Sequence, residues 1–213
     1  HALLALKDSS KQVQTFYAEA FRRMNDDFEK IRAFAGQNDY ELIITSGHGF
    51  SPIHTSINIE NLLIEQGIDL HDNGSKRTIK GIPGKVSAHL YINDQLTAVE
   101  HSEIVKKLEE AFNNLEDPKS GERVVENIFQ KQGLEEIGLA HPNAGDLFIQ
   151  LKPGYVFHHG GADDQGIFGI PLFKGDHGYS LKHEDSYGIF IADVPCDPCT
   201  TTSVAKVIEG ILN

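Results

Sequence analysis

A long apolar stripe that runs almost directly into a buried β segment limits what this chain can become. Val13, Phe16, Tyr17, Ala20, Phe21, Met24, Phe28, Ile31 and Phe34 recur at three- and four-residue steps, the spacing that gathers side chains on one face of an α-helix. Ser9 or Ser10 is placed to cap its start and Gly36 to end it. The run YELIIT, residues 40–45, then reads as a short buried strand, and SINIENLLIEQG reads as a capped helix ending at Gly67. Helix, strand, loop, helix is α/β syntax and predicts a parallel sheet.

The middle of the chain changes character. GKVSAHLYIN alternates with period two, as a half-buried strand does. HSEIVKKLEEAFNNLED places Ile104, Val105, Leu108, Ala111, Phe112 and Leu115 on one side of a helix, and ERVVENIFQK reads as a strand or a helix start. From Asp146 buried strands return in GDLFIQLKPGYVF, with a turn signal at Pro153-Gly154, and in YGIFIADVP; a Thr/Ser-capped helix closes the chain. The expected organisation is an α/β core in two parts, residues 1–70 and 145–213, with a small α+β lobe, 71–144, inserted between them. The strands around 41–45, 146–150 and 188–192 are expected to share one sheet.

Charge narrows the partners. Nineteen Lys and Arg stand against 31 Asp and Glu in 213 residues, a formal net charge of −12. That argues against a nucleic-acid polymer or an anionic membrane surface as the main partner. A small phosphate ester stays compatible, because bound cations invert the field locally. No run of about 18 apolar residues exists, so no membrane span is expected. The sequence opens on His1 rather than Met, and HALLALK has neither the basic start nor the cleavage site of a signal peptide. It therefore reads as a processed or trimmed product. The only cysteines, Cys196 and Cys199, form CDPC, which fits a redox pair, half a zinc site, a small disulfide or a plain loop.

Histidines carry the chemical signal. His48 lies between two glycines in SGHGF just after a strand, and His177 lies in KGDHGYSL shortly before another. Neutral imidazole is a common ligand for divalent metals, and flanking glycine lets backbone approach a crowded site. In open α/β sheets ligands gather at the carboxyl ends of strands, where His48 is expected. The chain has eleven histidines. His54, His71, His101, His141 and His183 read as surface or hydrogen-bonded structural residues, and His158-His159 in FHHGG as a solvated loop.

These motifs resemble a family. IITSGHGF is similar to the TSDHGM segment of the alkaline-phosphatase superfamily, and more closely to its type I phosphodiesterase and nucleotide pyrophosphatase branch. GDHGY followed by YGIFIADVP resembles that branch's GTHGY and GIFIASGP, and HPNAGDLFIQLKPGYVF resembles the segment upstream of them. The order and spacing hold from about residue 10 to residue 195. The resemblance implies a three-layer α/β/α alkaline-phosphatase-like core, present in part, and a hydrolase of small phosphate esters that uses two zinc ions. It assigns His48 to the histidine of DHG and His177 to that of GTHG. His1, just ahead of the long helix, matches the histidine of the family's Asp-x-x-x-His pair. His1, His48 and His177 are thus the expected metal ligands, and His48 and His177 are expected to converge on one face of the core.

The departures matter as much. Gly47 stands where the family has the aspartate of DHG, and glycine has no side chain to ligate with. The family's Thr or Ser nucleophile, first Asp and Asp of Asp-x-x-x-His would all precede His1, so no catalytic residue is assigned. Thr45 and Ser46 lie near His48 without an adjacent base. Asp176, beside His177, reads as a loop residue or as a metal recruit in a new geometry. Two readings follow: the carboxyl-terminal part of a metal-dependent phosphodiesterase or pyrophosphatase-like hydrolase, inactive or very weak by itself, or a non-catalytic relative retained for binding or assembly.

Overall fold

The computed structural model describes residues 11–68, 78–158, 166–192, 194, 196 and 199–212. His1, Ser9, Ser10, His71 and His159 therefore lie outside the described residues. The chain divides into two compact units. Among the described residues, one runs Phe50–Ser186 and the other combines residues 11–49 with the stretch from Tyr187 onward.

The second of these holds two helices and a two-stranded ribbon. Helix α1 spans Lys11–Gln37, strand β1 spans Ile43–Thr45, strand β10 spans Phe190–Ala192 and helix α4 spans Val204–Leu212. β1 and β10 pair antiparallel, with Ile43 opposite Ala192 and Thr45 opposite Phe190. The predicted stripe does make a helix, but not a buried one. Phe16, Phe21, Met24, Ile31 and Phe34 are exposed, and Ala35 is the buried residue of α1. The other face carries close ion pairs, Arg22 with Glu19 and Asp26, and Lys30 with Asp27, the i,i+3 and i,i+4 pairs that support a solvated helix surface.

The Phe50–Ser186 unit holds the core. Its strands are β2 (Ser51–Ile57), β3 (Ile79–Gly84), β4 (Ser87–Ile92), β5 (Val125–Gln130), β6 (Leu147–Leu151), β7 (Gly154–Phe157), β8 (Phe168–Gly169) and β9 (Gly175–Asp176). Its helices are α2 (Ile59–Glu65) and α3 (Ala98–Asn113). β3, β4, β6 and β5 form an antiparallel sheet in that order. β4 alternates as its sequence requires: Ala88, Leu90 and Ile92 are buried, while Ser87, His89 and Tyr91 are only partly covered. The inward residues join Leu147, Ile149 and Leu151 of β6, Leu108 and Phe112 of α3, and Leu62 and Leu63 of α2 in one cluster. α3 is fixed at its start by a reciprocal capping box between Thr97 and Glu100, which satisfies two amide donors the helix itself leaves open.

β2 is the hub of the remaining sheet. It pairs parallel with β7 and antiparallel with β8 and β9. Ile57, Tyr155 and Phe157 carry its packing into the main cluster.

Two expectations are corrected. The strands near 41–45, 146–150 and 188–192 do not share a sheet: β1 and β10 pair with each other, whereas β6 sits between β4 and β5. Leu147, Phe148, Ile149 and Leu151 are all buried, and a run buried on both faces carries no period that names its sheet. The second correction is the parallel sheet. Among the described strand pairs only β2 with β7 is parallel. β3, the first strand of the antiparallel β3–β4 hairpin, carries Gly81 and Pro83 and shows no clear strand pattern in the sequence. The mixed α/β character of the chain stands.

Leu90, fully buried at the centre of the cluster, tests this core. Leu90→Ala should lower unfolding free energy by about 2–5 kcal/mol in urea titrations followed by circular dichroism. A loss below about 1 kcal/mol would contradict the burial.

Candidate functional site

His48 follows β1 through a turn that the neighbouring strand pins. Ser46 donates its backbone N–H to the Ile189 carbonyl at 2.9 Å, and its Oγ accepts from the Ile189 N–H at 2.8 Å. The Ser46 hydroxyl is therefore occupied with closing the ribbon. Gly188 makes the approach possible: a Cβ there would come within 2.7 Å of the Ser46 carbonyl oxygen and 3.0 Å of its Oγ. Gly47 has no such constraint, for a Cβ there meets nothing within 4 Å.

The His48 ring is exposed, and its Nδ1 lies 2.7 Å from the Gly49 carbonyl oxygen. A carbonyl only accepts, so Nδ1 is the donor, and in the corresponding neutral tautomer the ring's lone pair lies on Nε2. That is the arrangement common for a metal-ligating histidine, whose other ring N–H is held by a carbonyl or carboxylate.

His177 belongs to the Phe50–Ser186 unit. It follows β9, which pairs with β2 through Ser51 opposite Asp176 and Pro52 opposite Gly175. Its side chain is 32% exposed. The Phe50 and His177 ring centroids are 6.4 Å apart. Gly175 lies against the Phe50 ring and 3.1 Å, from its would-be Cβ, to the Ser51 carbonyl oxygen. Gly178 takes the left-handed region at φ +99°. Tyr179 is buried and donates its O–H to the Tyr155 carbonyl at 2.8 Å. Burial, reinforced by the Asp176 charge, pushes the Tyr179 phenol well above the usual range, so it stays a neutral donor at physiological pH.

Asp176 is not a solvated loop residue. It is a buried strand residue whose Oδ1 accepts from the His177 backbone N–H at 2.9 Å and from Lys85 Nζ at 3.1 Å. The distance from Asp176 Oδ1 to His177 Nε2 is 3.8 Å, too long for a hydrogen bond. No local pattern signals Lys85, which lies 91 residues away in a Gly-Lys-Val hairpin turn.

A metal finds suitable imidazoles here but not a complete donor set. Among the described residues no group of three His, Cys, Asp or Glu side chains comes together in a way that could hold an ion. His48 and His177 belong to different units, and His1 lies outside the described residues. Gly47 offers no donor, and the carboxylate beside His177 is held by an ammonium group. These residues alone do not make a two-metal centre, which needs carboxylates to offset the cation charge.

The histidines read as structural do take structural bonds. His183 Nε2 meets Glu126 at 3.1 Å, His101 Nε2 meets Asp146 at 3.4 Å, and His141 Nδ1 accepts the Asn143 N–H at 3.1 Å. His54 packs edge-on against Tyr155, ring centroids 5.0 Å apart. Cys196 and Cys199 are joined in a disulfide, which removes both from redox exchange as thiols and from zinc binding while it persists.

The comparisons with known proteins agree with the motifs. The family described as type I phosphodiesterase / nucleotide pyrophosphatase matches residues 7–180, a span that includes Gly47, His48 and His177. The chain belongs to this family, within the alkaline-phosphatase superfamily. The structure resembles murine ectonucleotide pyrophosphatase/phosphodiesterase 5, at TM-score 0.56 and 16% identity over 88% of this chain and 43% of that one. An inactive variant of the same murine protein, in complex with AMP, aligns at TM-score 0.52 and 15% identity over 87% of this chain and 42% of that one. Phosphonoacetate hydrolase from Sinorhizobium meliloti 1021, in complex with phosphonoformate, aligns at TM-score 0.51 and 17% identity over 91% of this chain and 45% of that one. The shared feature is an alkaline-phosphatase-like fold, represented in part: this chain spans less than half the length of these structures. A search of curated protein sequences finds no match.

The two glycines of the His48 loop should respond oppositely to substitution. Gly188→Ala must displace Ser46 and should cost about 1–3 kcal/mol, the usual range for overpacking. Gly47→Asp enters open space and should stay within about 0.5 kcal/mol. Thermal unfolding of both variants beside the parent checks this. Equal losses would contradict the loop geometry.

Proposed function

We propose that this chain is the carboxyl-terminal part of a metal-dependent phosphodiesterase or nucleotide pyrophosphatase-like hydrolase, with His1, His48 and His177 as its contribution to the metal site. Its class of substrate is a small phosphate ester, and zinc is the proposed metal. The observation that carries this reading is the family match over residues 7–180, which spans both His-Gly motifs in their family order. The Nδ1–H bond of His48 to the Gly49 carbonyl supports a ligating role for Nε2. The AMP bound to the murine relative is compatible with a nucleotide substrate. The formal net charge of −12 argues for a small-molecule substrate rather than a nucleic-acid polymer.

The chain by itself is proposed to be inactive or very weak. Ser46, the hydroxyl nearest His48 in sequence, has its oxygen engaged by the Ile189 N–H. Gly47 leaves the family's carboxylate position without a donor. A bound cation at the family site would polarise the phosphoryl oxygen and activate a hydroxyl; the residues described supply imidazoles to hold it, not the nucleophile. The same observations favour a second reading, a non-catalytic family member that keeps the fold for binding or assembly.

Hydrolysis of bis-p-nitrophenyl phosphate with added zinc separates activity from inactivity. The 213-residue chain should turn over at the rate of the protein-free control. Gly47→Asp should raise zinc affinity by at least about tenfold, the low end of what even an outer-shell partner contributes, without bringing turnover. Brisk hydrolysis by the unmodified chain would sink the proposal, because the catalytic groups would then lie among residues assigned no role.

A further inference from the structure

We propose that Lys85 and Asp176 are positioning residues for His177, and that the β3–β4 turn is the clamp that fixes this imidazole. The proposal rests on reading His177 as a ligand and adds the residues that aim it.

The clamp is built from both sides of His177. On the amino-terminal side Asp176 folds its carboxylate back onto the next residue's N–H, 2.9 Å away. This bond restrains the backbone torsions between the two residues, and so the direction in which the ring leaves the chain. A buried carboxylate is costly unless paired, and Lys85 Nζ supplies the charge at 3.1 Å. On the carboxyl-terminal side Gly178 adopts φ +99°, and a Cβ there would stand 3.1 Å from the Val86 side chain. Val86 then packs with Tyr179, Ile53 and Val156 in a separate buried cluster.

Lys85 and Val86 are adjacent, so one turn grips the segment before and after the histidine. The turn is itself anchored. Lys85 lies in the left-handed region at φ +66°, a conformation a side-chain-bearing residue keeps only where its surroundings over-determine it. Its carbonyl accepts the Phe157 N–H at 2.6 Å, and the Val86 carbonyl accepts the Leu151 N–H at 2.9 Å. The antiparallel β3–β4–β6–β5 sheet is thereby joined to the segment that carries His177.

This arrangement also assigns Asp176. Its Oδ1 is shared between an amide and an ammonium group, so it serves as an internal strut rather than as a donor to an external cation. Lys85 stands where such a cation would have to sit. Ligating groups must be held within fractions of an ångström by partners that are themselves locked, and the pair supplies that lock.

The test reads His177 in the metal-free 213-residue chain, so it stands or falls independently of any ligation. Nitrogen-15 NMR follows the His177 amide exchange rate and its imidazole ring resonances in Asp176→Ala, Asp176→Asn, Lys85→Met and Lys85→Arg. Asp176→Ala should speed His177 amide exchange by about tenfold, the loss of one hydrogen bond, while amides across β4 and β6 keep their rates. Asp176→Asn retains an acceptor and should keep most of that protection. Lys85→Met should shift the ring resonances, and Lys85→Arg should restore them. Should Asp176→Ala fail to fold, Lys85→Met against Lys85→Arg poses the same question. Unchanged His177 signals in folded Asp176→Ala or Lys85→Met would overturn the proposal, as would a uniform rise in exchange throughout the unit.

Discussion

The antiparallel pairing of β2 with β9 is the constraint on which the His177 region depends. Ser51 lies opposite Asp176 and Pro52 opposite Gly175, so the backbone position one residue before His177 is set by a ladder rather than by a free loop. The pairing is tight because Gly175 has no side chain to keep the Phe50 ring away. β2 also carries β7 and β8, and through Ile57 it reaches the main apolar cluster. A single seven-residue strand thus links the packing core to the candidate chemistry. Ser51, Thr55 and Ser56 are buried along it.

Much of this was legible in the sequence where periodicity was strong. The β4 alternation and the α3 stripe appear as buried faces, Ala88, Leu90 and Ile92 on one and Leu108, Ala111 and Phe112 on the other. The two His-Gly motifs led to the family without any geometry. What was not legible has a common cause. β2 begins with Ser-Pro-Ile-His and has no clean apolar run, because Ser51, Thr55 and Ser56 share its buried positions with Ile53 and Ile57. β6 gave a strand but not its sheet, since burial on both faces erases the period that would have named its partners. Lys85 meets Asp176 across 91 residues, and no local pattern encodes a contact of that range. The α1 stripe made its helix legible, while its large apolar residues are exposed. The chain spans less than half the length of the solved relatives.

Of the proposed ligand positions His48 and His177 are imidazoles, and Gly47 stands where the family resemblance expects a carboxylate. Imidazole at a glycine-flanked turn binds a cation without neutralising it, whereas the family's aspartates do both. Gly47 therefore counts for more than one missing ligand. It removes a negative charge that a divalent cation needs close by, and the nearest carboxylate to His177 spends its charge on Lys85.

The measurement that bears most directly on this account is a zinc titration of the intact chain, read at the imidazole nitrogens of each histidine by NMR. The account predicts that the Nε2 signals of His48 and His177 move with added zinc, while those of His101, His141 and His183, held by Asp146, Asn143 and Glu126, stay in place. Zinc that leaves His48 and His177 unperturbed, or that binds at the structural histidines instead, would contradict it.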